Sequence, residues 1–485
     1  MPIRVRLVLF VLIAFWHFSG CRQTAFDTNI HPPDPVSVDL DSILRRGYIS
    51  ALVDNNSISY FIYKGEPMGY DYELLKLFAD HLNVDLKINV TKGIGAAIDK
   101  LNKGEGDILA YPMTITKHRK QFISFTRPHF NSYQVLVQRK PDGWRRLTAD
   151  QIDQAMIRDP VDLIGKEIHV PRNSTFLHRL ENLSEEIGGD IIIKVDSSDA
   201  ESEELIRQVA RGEIELTVAN HAFATVNAAY YPDIDVNTIL SLPQQIAWGM
   251  RINSPQLMEA FNTWMDQIKK EPTFMVIYNR YYKSPNTSRI RRNSDYSSLG
   301  GNKLSPYDDL IREGAEVLGW DWRLLAAVAY QESRFGEVDE SWAGARGLMQ
   351  LMPATAERFG ATDPNDPVQN LRAGVRYLKY LDDYWAKRVP DTEQKQKFVL
   401  ASYNAGLGHI LDARNLAGRF GKDTLMWDYN VEEMLTRKSQ PEYFNDPVVK
   451  LGYCKCTETV NYVREVLNRY EMYAAHISGL PVAGK

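Results

Sequence analysis

The chain has 485 residues, of which 44% are hydrophobic and 25% charged, with a formal net charge of −5. That length suggests two to four domains, and the mildly acidic balance excludes a general nucleic-acid binder, which needs a basic face. Three cysteines, Cys21, Cys454 and Cys456, are too few for a disulfide scaffold.

Residues 1–21 read as a targeting segment. Arg4 and Arg6 precede an apolar run from Leu7 to Trp16, and the small residues Ser19 and Gly20 precede Cys21. The run is too short to span a bilayer and reads as a secretory signal with a small-residue cleavage site. Residues 22–39 form a tether that includes the polar, proline-bearing start of HPPDPVSVDLDS.

From 40 to 282 the signals alternate. Leu74, Leu75, Phe78 and Leu82 recur at helical spacing, and VDLKINV alternates with period two, so a helix leads into a strand. GDILAYPM, KEIHVP, DIIIKV and IELTVA are further strand candidates separated by helical stretches. Strands alternating with helices imply an α/β unit. The stretch 283–303, KSPNTSRIRRNSDYSSLGGNK, has almost no apolar period and marks a linker.

From 304 to 480 the signals are helical. DWRLLAAVAYQESRF carries Leu324, Leu325, Val328 and Ala329 on one face, and Glu332 falls close to that face one turn on. LRAGVRYLKYLDDYW has Leu371, Val375, Leu378 and Leu381 in register, with Asn370 as its expected N-cap. KFVLASYN and ETVNYVREVLNRYEMYA are the next helices. An acid beside buried apolar surface keeps its proton to higher pH, which suits a general acid. The neighbouring motifs supply amides, a phenol and a hydroxyl but no obvious second carboxylate, unlike most glycosidases.

Several of these segments carry resemblances. FSGC resembles the bacterial lipobox, with Phe18 where leucine is usual; this implies lipidation of Cys21 and a lipid anchor at the periplasmic face of the outer membrane. GYDYELLKLFADHLNVDLKI, LNKGEGDILAYPMTITKHRKQFISFTRPHF, LIGKEIHVPRNSTF and QIAWGMRINSPQLMEAFNTWM, in that order, resemble type 2 periplasmic solute-binding proteins of the amino-acid-binding family. The resemblance implies two lobes joined by crossings near Tyr133–Gln138 and Pro243–Met250. It places Thr114, Thr116 and Arg119 on a ligand carboxylate, as a guanidinium fork would bind one, with Ser174 and Thr175 donating from the second lobe. Asn220 stands where the family often has an aspartate for the ligand amino group. An amino-acid-like ligand or a muropeptide is the expected partner.

AYQESRF, GLMQLMP, NLRAGVRYL, ASYNAGLG and ETVNYVREV resemble, in order, the lytic transglycosylases with a goose-type lysozyme fold. The fold expected is therefore a two-lobed α/β module followed by a mainly α, lysozyme-like domain. The substrate implied is the peptidoglycan glycan strand. Glu332 would be the catalytic acid and then base, with the sugar's own N-acetyl group assisting and a 1,6-anhydro end as product. Ser333 would orient that N-acetyl group, Met349 and Gln350 would line the cleft floor, and Tyr403, Asn404 and Tyr462 would bond the sugars or the carboxylate. Gly347 and Gly406 would permit close approach or unusual φ. The resemblance implies no cofactor, and the sequence shows no metal signature. Cys454 and Cys456, in CKC, are read as two thiols or a local disulfide.

Overall fold

The computed structural model describes residues 32–172, 174–196, 201–301, 303–336 and 344–477. The expected signal segment and Cys21 lie outside the described residues, as does most of the expected tether. Among the described residues no helix is long and apolar enough to cross a membrane.

The first lobe is built on a mixed sheet. Tyr48–Val53 lies between Asp85–Val90 and Ile108–Thr114, parallel to both, and Gln244–Met250 returns antiparallel beside Ile108–Thr114. The second lobe is a sheet ordered Ile192–Val195, Glu167–Val170, Leu216–Asn220, Gln134–Arg139, Ile234–Asp235. All five strand candidates fall in these two sheets. The crossings lie where the sequence resemblance placed them. Phe130–Ser132 still pairs with Gln244–Met250 in the first lobe, whereas Gln134–Arg139 belongs to the second. Buried apolar side chains fill both faces of the first sheet, as expected where helices cover a largely parallel sheet.

The stretch 283–303 is not open chain. It contains a helix, Pro285–Arg292, and a short turn, Ser298–Gly300. Arg292 stacks on the Tyr231 ring at 4.1 Å. Pro285 presets φ at the first helical position, which lets so polar a sequence start a helix.

The second unit is helical around one core. Trp322–Ser333 is buried at every position from Leu324 to Tyr330. Asp308–Leu318 and Thr457–His476 pack against it, and Pro367–Ala386 and Thr392–Ala405 complete the same core. Asn370 is not the N-cap of its helix. Asp366 caps it, accepting from Val368 N–H at 2.9 Å, with Pro367 at the first position. Asn370 lies one turn inside, fully buried, with another task described below.

The two units meet through a hairpin of the first lobe, Phe61–Tyr63 and Glu66–Met68. Its turn residues, Lys64 and Gly65, have φ of 52° and 75°, the paired left-handed conformation of a tight hairpin. The hairpin tip reaches the two helices that bear Glu332 and Tyr462. Gly65 O accepts from Arg469 Nη1 at 2.9 Å and from the Tyr473 hydroxyl at 3.0 Å, and the Tyr330 hydroxyl donates to Glu66. A Cβ at Gly65 would stand 2.2 Å from the Tyr330 ring, so only glycine allows this approach. Ile62 belongs to the core of the second unit.

Candidate functional site

Glu332 owes its position to the helix Trp322–Ser333. Asp321 caps that helix, accepting from Arg323 N–H at 2.9 Å. The helix ends abruptly after Ser333: Arg334 and Phe335 both take positive φ, 54° and 56°. Two consecutive non-glycine residues in this sparsely populated region are strained, and such strain collects at functional sites. Gln331 Nε2 donates to Glu465 Oε2 at 2.6 Å, fastening the same turn to the Tyr462 helix.

The Glu332 carboxylate accepts a hydrogen bond from the Tyr462 hydroxyl at 2.6 Å. Burial pushes its pKa up to about 7, against a smaller downward pull from that bond. Glu332 is therefore an acid part-protonated near neutral pH, which is what proton delivery to a leaving oxygen requires. Burial, and then the Glu332 charge, raises the phenols of both Tyr403 and Tyr462, so both rings stand near the carboxyl.

A second layer holds the loop beside it. The Tyr403 hydroxyl donates to Met349 O at 2.7 Å. Asn370 Oδ1 accepts from Met349 N–H at 2.7 Å, while its Nδ2 donates to Arg346 O at 2.9 Å and Pro364 O at 2.8 Å. Asn370 thus uses both ends of its amide to shape the loop 346–350, a role the sequence pattern did not suggest. Gly347 has φ 74°, and a Cβ there would meet Pro364 O at 2.3 Å, so the expectation of close approach fits. Gly406 has φ 88° with open space around it, so its need is conformational.

The remaining expected cleft residues are placed as follows. The Ser333 hydroxyl lies 2.9 Å from Leu348 O and 3.2 Å from Ala329 O, tying the helix end to the loop. The Met349 side chain is fully buried and packs toward Gly374. Gln350 takes φ 44°, and its Nε2 donates to Gly347 O at 3.0 Å. Asn404 is exposed, and its Oδ1 accepts from the Thr459 hydroxyl at 2.8 Å. Cys454 and Cys456 form a disulfide at the start of the Tyr462 helix.

A second site lies between the two lobes. A cavity of about 730 Å³ is lined by Thr114, Arg119, Ser174, Thr175 and Asn220, among others. Arg119 is buried, which brings its pKa down to about 10, and its Nη1 donates to Thr114 O at 3.2 Å. The Thr116 hydroxyl accepts from Arg119 N–H at 3.2 Å and so shapes the turn. Asn220 Oδ1 accepts from the Ser132 hydroxyl at 2.5 Å and from Ala222 N–H at 3.2 Å, capping the next helix. The sequence reading missed the acids of this cavity, Asp54, Asp99, Glu201 and Glu203. Burial, and then the Glu201 charge, brings Asp54 up to about 8. Glu201 Oε1 accepts from Gly93 N–H at 2.8 Å and Glu203 Oε2 from Ser57 N–H at 2.9 Å, so both acids reach across to the first lobe.

Comparison with known proteins agrees with both halves. Bacterial extracellular solute-binding proteins, family 3, match residues 49–284, and the Transglycosylase SLT domain matches residues 309–426. Among solved structures, holo ArgBP from T. maritima is similar to the first unit, with 26% identity and a TM-score of 0.40, covering 49% of this chain and 97% of that one. A two-lobed binding module joined to a helical domain that matches the transglycosylase family model and carries Glu332 defines a modular transglycosylase. Curated relatives extend over both units. A membrane-bound lytic murein transglycosylase F from Desulfosudis oleivorans is 37% identical over 89% of this chain and 90% of its own. Another from Aeromonas salmonicida is 31% identical over 90% of this chain and 84% of its own. The chain belongs to the membrane-bound lytic murein transglycosylase F family.

Proposed function

We propose that this protein cleaves the β-1,4 bond between MurNAc and GlcNAc of peptidoglycan without water, leaving 1,6-anhydroMurNAc ends. The observation that carries the reading is Glu332, an acid with a pKa near 7, hydrogen-bonded by Tyr462. Among the described residues no other carboxylate contributes to its proton affinity. Glu332 gives its proton to the departing GlcNAc oxygen. The sugar's acetamido oxygen stabilises the anomeric carbon, an exception to the two-carboxylate rule. Glu332, now a base, takes the proton of the MurNAc C6 hydroxyl as that oxygen closes onto the anomeric carbon. Tyr462 holds the carboxylate in line through both steps, and Asn404, Gln350 and the turn at Ser333 border the glycan. Digestion of purified sacculi followed by mass spectrometry tests this. Anhydro ends support it, whereas ends heavier by one water mark a hydrolase.

The inter-lobe cavity supports a regulatory reading of the first unit. Arg119, Thr114, Ser174 and Thr175 would bind a carboxylate-bearing, amino-acid-like or muropeptide ligand, and the hairpin at Gly65 joins that lobe to the Glu332 helix. Calorimetry with amino acids and muropeptides tests it: equal affinity for wild type and Arg119→Ala would remove that arginine from the site. The protein acts in the cell envelope in wall remodelling. Lipidation of Cys21 would hold it at the periplasmic face of the outer membrane, and loss of membrane fractionation in Cys21→Ser is the expected result.

A further inference from the structure

Thr459 has no part in the chemistry above, yet it is only 4% exposed and lies one turn before Tyr462. Side chains three apart share a helix face. One helix thus sends two neighbouring hydroxyls into the site, Tyr462 to the acid and Thr459 to Asn404 Oδ1 at 2.8 Å. The backbone at Asn404 is already held from both sides. Ser402 and Tyr403 are buried, the first accepting from Trp385 Nε1 at 2.9 Å and the second donating to Met349 O. The helix Thr392–Ala405 ends just after it, at Gly406 with φ 88°. Asn404 is the first side chain of this segment to leave the core, and its torsions are the freedom left to fix.

An asparagine amide accepts at one end and donates at the other. The geometry points to Thr459 as a positioning residue: by occupying Oδ1 it holds the Asn404 amide with Nδ2 turned outward, as an N–H donor for a sugar oxygen. The acetamido carbonyl of the glycan is the acceptor of matching chemistry. Without the hydroxyl, the amide turns freely and presents its oxygen part of the time, which repels the same carbonyl. This deepens the reading of Asn404 as a substrate contact and rests on it.

The test uses the full chain and soluble, uncrosslinked glycan strands, with Thr459→Val, Thr459→Ser, Asn404→Ala and the pair Asn404→Ala/Thr459→Val. Thr459→Val is expected to raise KM roughly three- to tenfold, the loss of one hydrogen bond, with kcat little changed. The alkaline limb of the pH profile, set by Glu332, stays in place. Thr459→Ser restores the wild-type KM, and Thr459→Val adds nothing in the Asn404→Ala background. If Thr459→Val does not fold, Thr459→Ala replaces it in both backgrounds. An impaired Asn404→Ala beside a wild-type Thr459→Val overturns the positioning role alone. A shifted pH limb in Thr459→Val also overturns it, by showing that Thr459 acts on the acid. Wild-type kinetics in Asn404→Ala removes the substrate contact itself and the proposal with it.

Discussion

Glu332 and Asp54 are two half-buried carboxyls with similar proton affinity and different reasons for it. Glu332 is raised to about 7 by burial alone, and its one hydrogen bond pulls the other way. Asp54 is raised to about 8 by burial and by a neighbouring carboxylate, Glu201. The first is a single acid at the end of one helix, raised by its surroundings, which suits the general acid proposed for it. The second sits among charges drawn from two lobes, so its state depends on how those lobes stand. A proton affinity near neutrality thus has two different physical origins in this one chain.

The largest effect that separates the two is at Glu332 itself. Glu332→Gln should fold and lose wall cleavage by at least about a thousandfold, since the groups left beside it are phenols raised well above their ordinary range and poor proton donors. The same variant has a stability signature. A carboxyl raised from 4.5 to about 7 favours the folded state below pH 4.5, and that contribution is lost as pH rises through about 7. The charged form then costs roughly 3 kcal/mol. Glu332→Gln should therefore melt above wild type at pH 8 and close to it at pH 4. Next comes Gly65→Val: its side chain collides with Tyr330, and loss of the docked hairpin should destabilise by about 1–3 kcal/mol, read by chemical denaturation. Tyr462→Phe removes the bond that favours the charged acid. The alkaline limb of activity should move to higher pH, with about a tenfold loss of rate. The smallest effect sharpens the contrast. Glu201→Gln removes a like charge, so Asp54 should titrate lower by NMR while the pH profile of cleavage stays unchanged.

Much of this was legible in the sequence because the signals were local. Period-two runs such as VDLKINV became strands, and the apolar stripe ahead of Glu332 became the buried helix that raises its pKa. The residues missed act across long separations. The hairpin FIYKGEPM is too short for periodicity to reveal, and its partners Tyr330, Arg469 and Tyr473 belong to the other unit. Asn370 looked like a cap because it precedes an apolar stripe, but DPVQN starts its helix earlier, at an Asp-Pro pair. Burial one turn in freed its amide to shape the Gly347 loop. The acids at 54, 201 and 203 are ordinary in sequence and meet only when two lobes face each other.

Digestion of sacculi by the wild-type protein in heavy-oxygen water tests the central claim most directly. If Glu332 works alone and the glycan closes on itself, the new ends carry the anhydro mass and no label. Labelled reducing ends released at the wild-type rate would mean that water attacks, and that a second group which activates it belongs to this site.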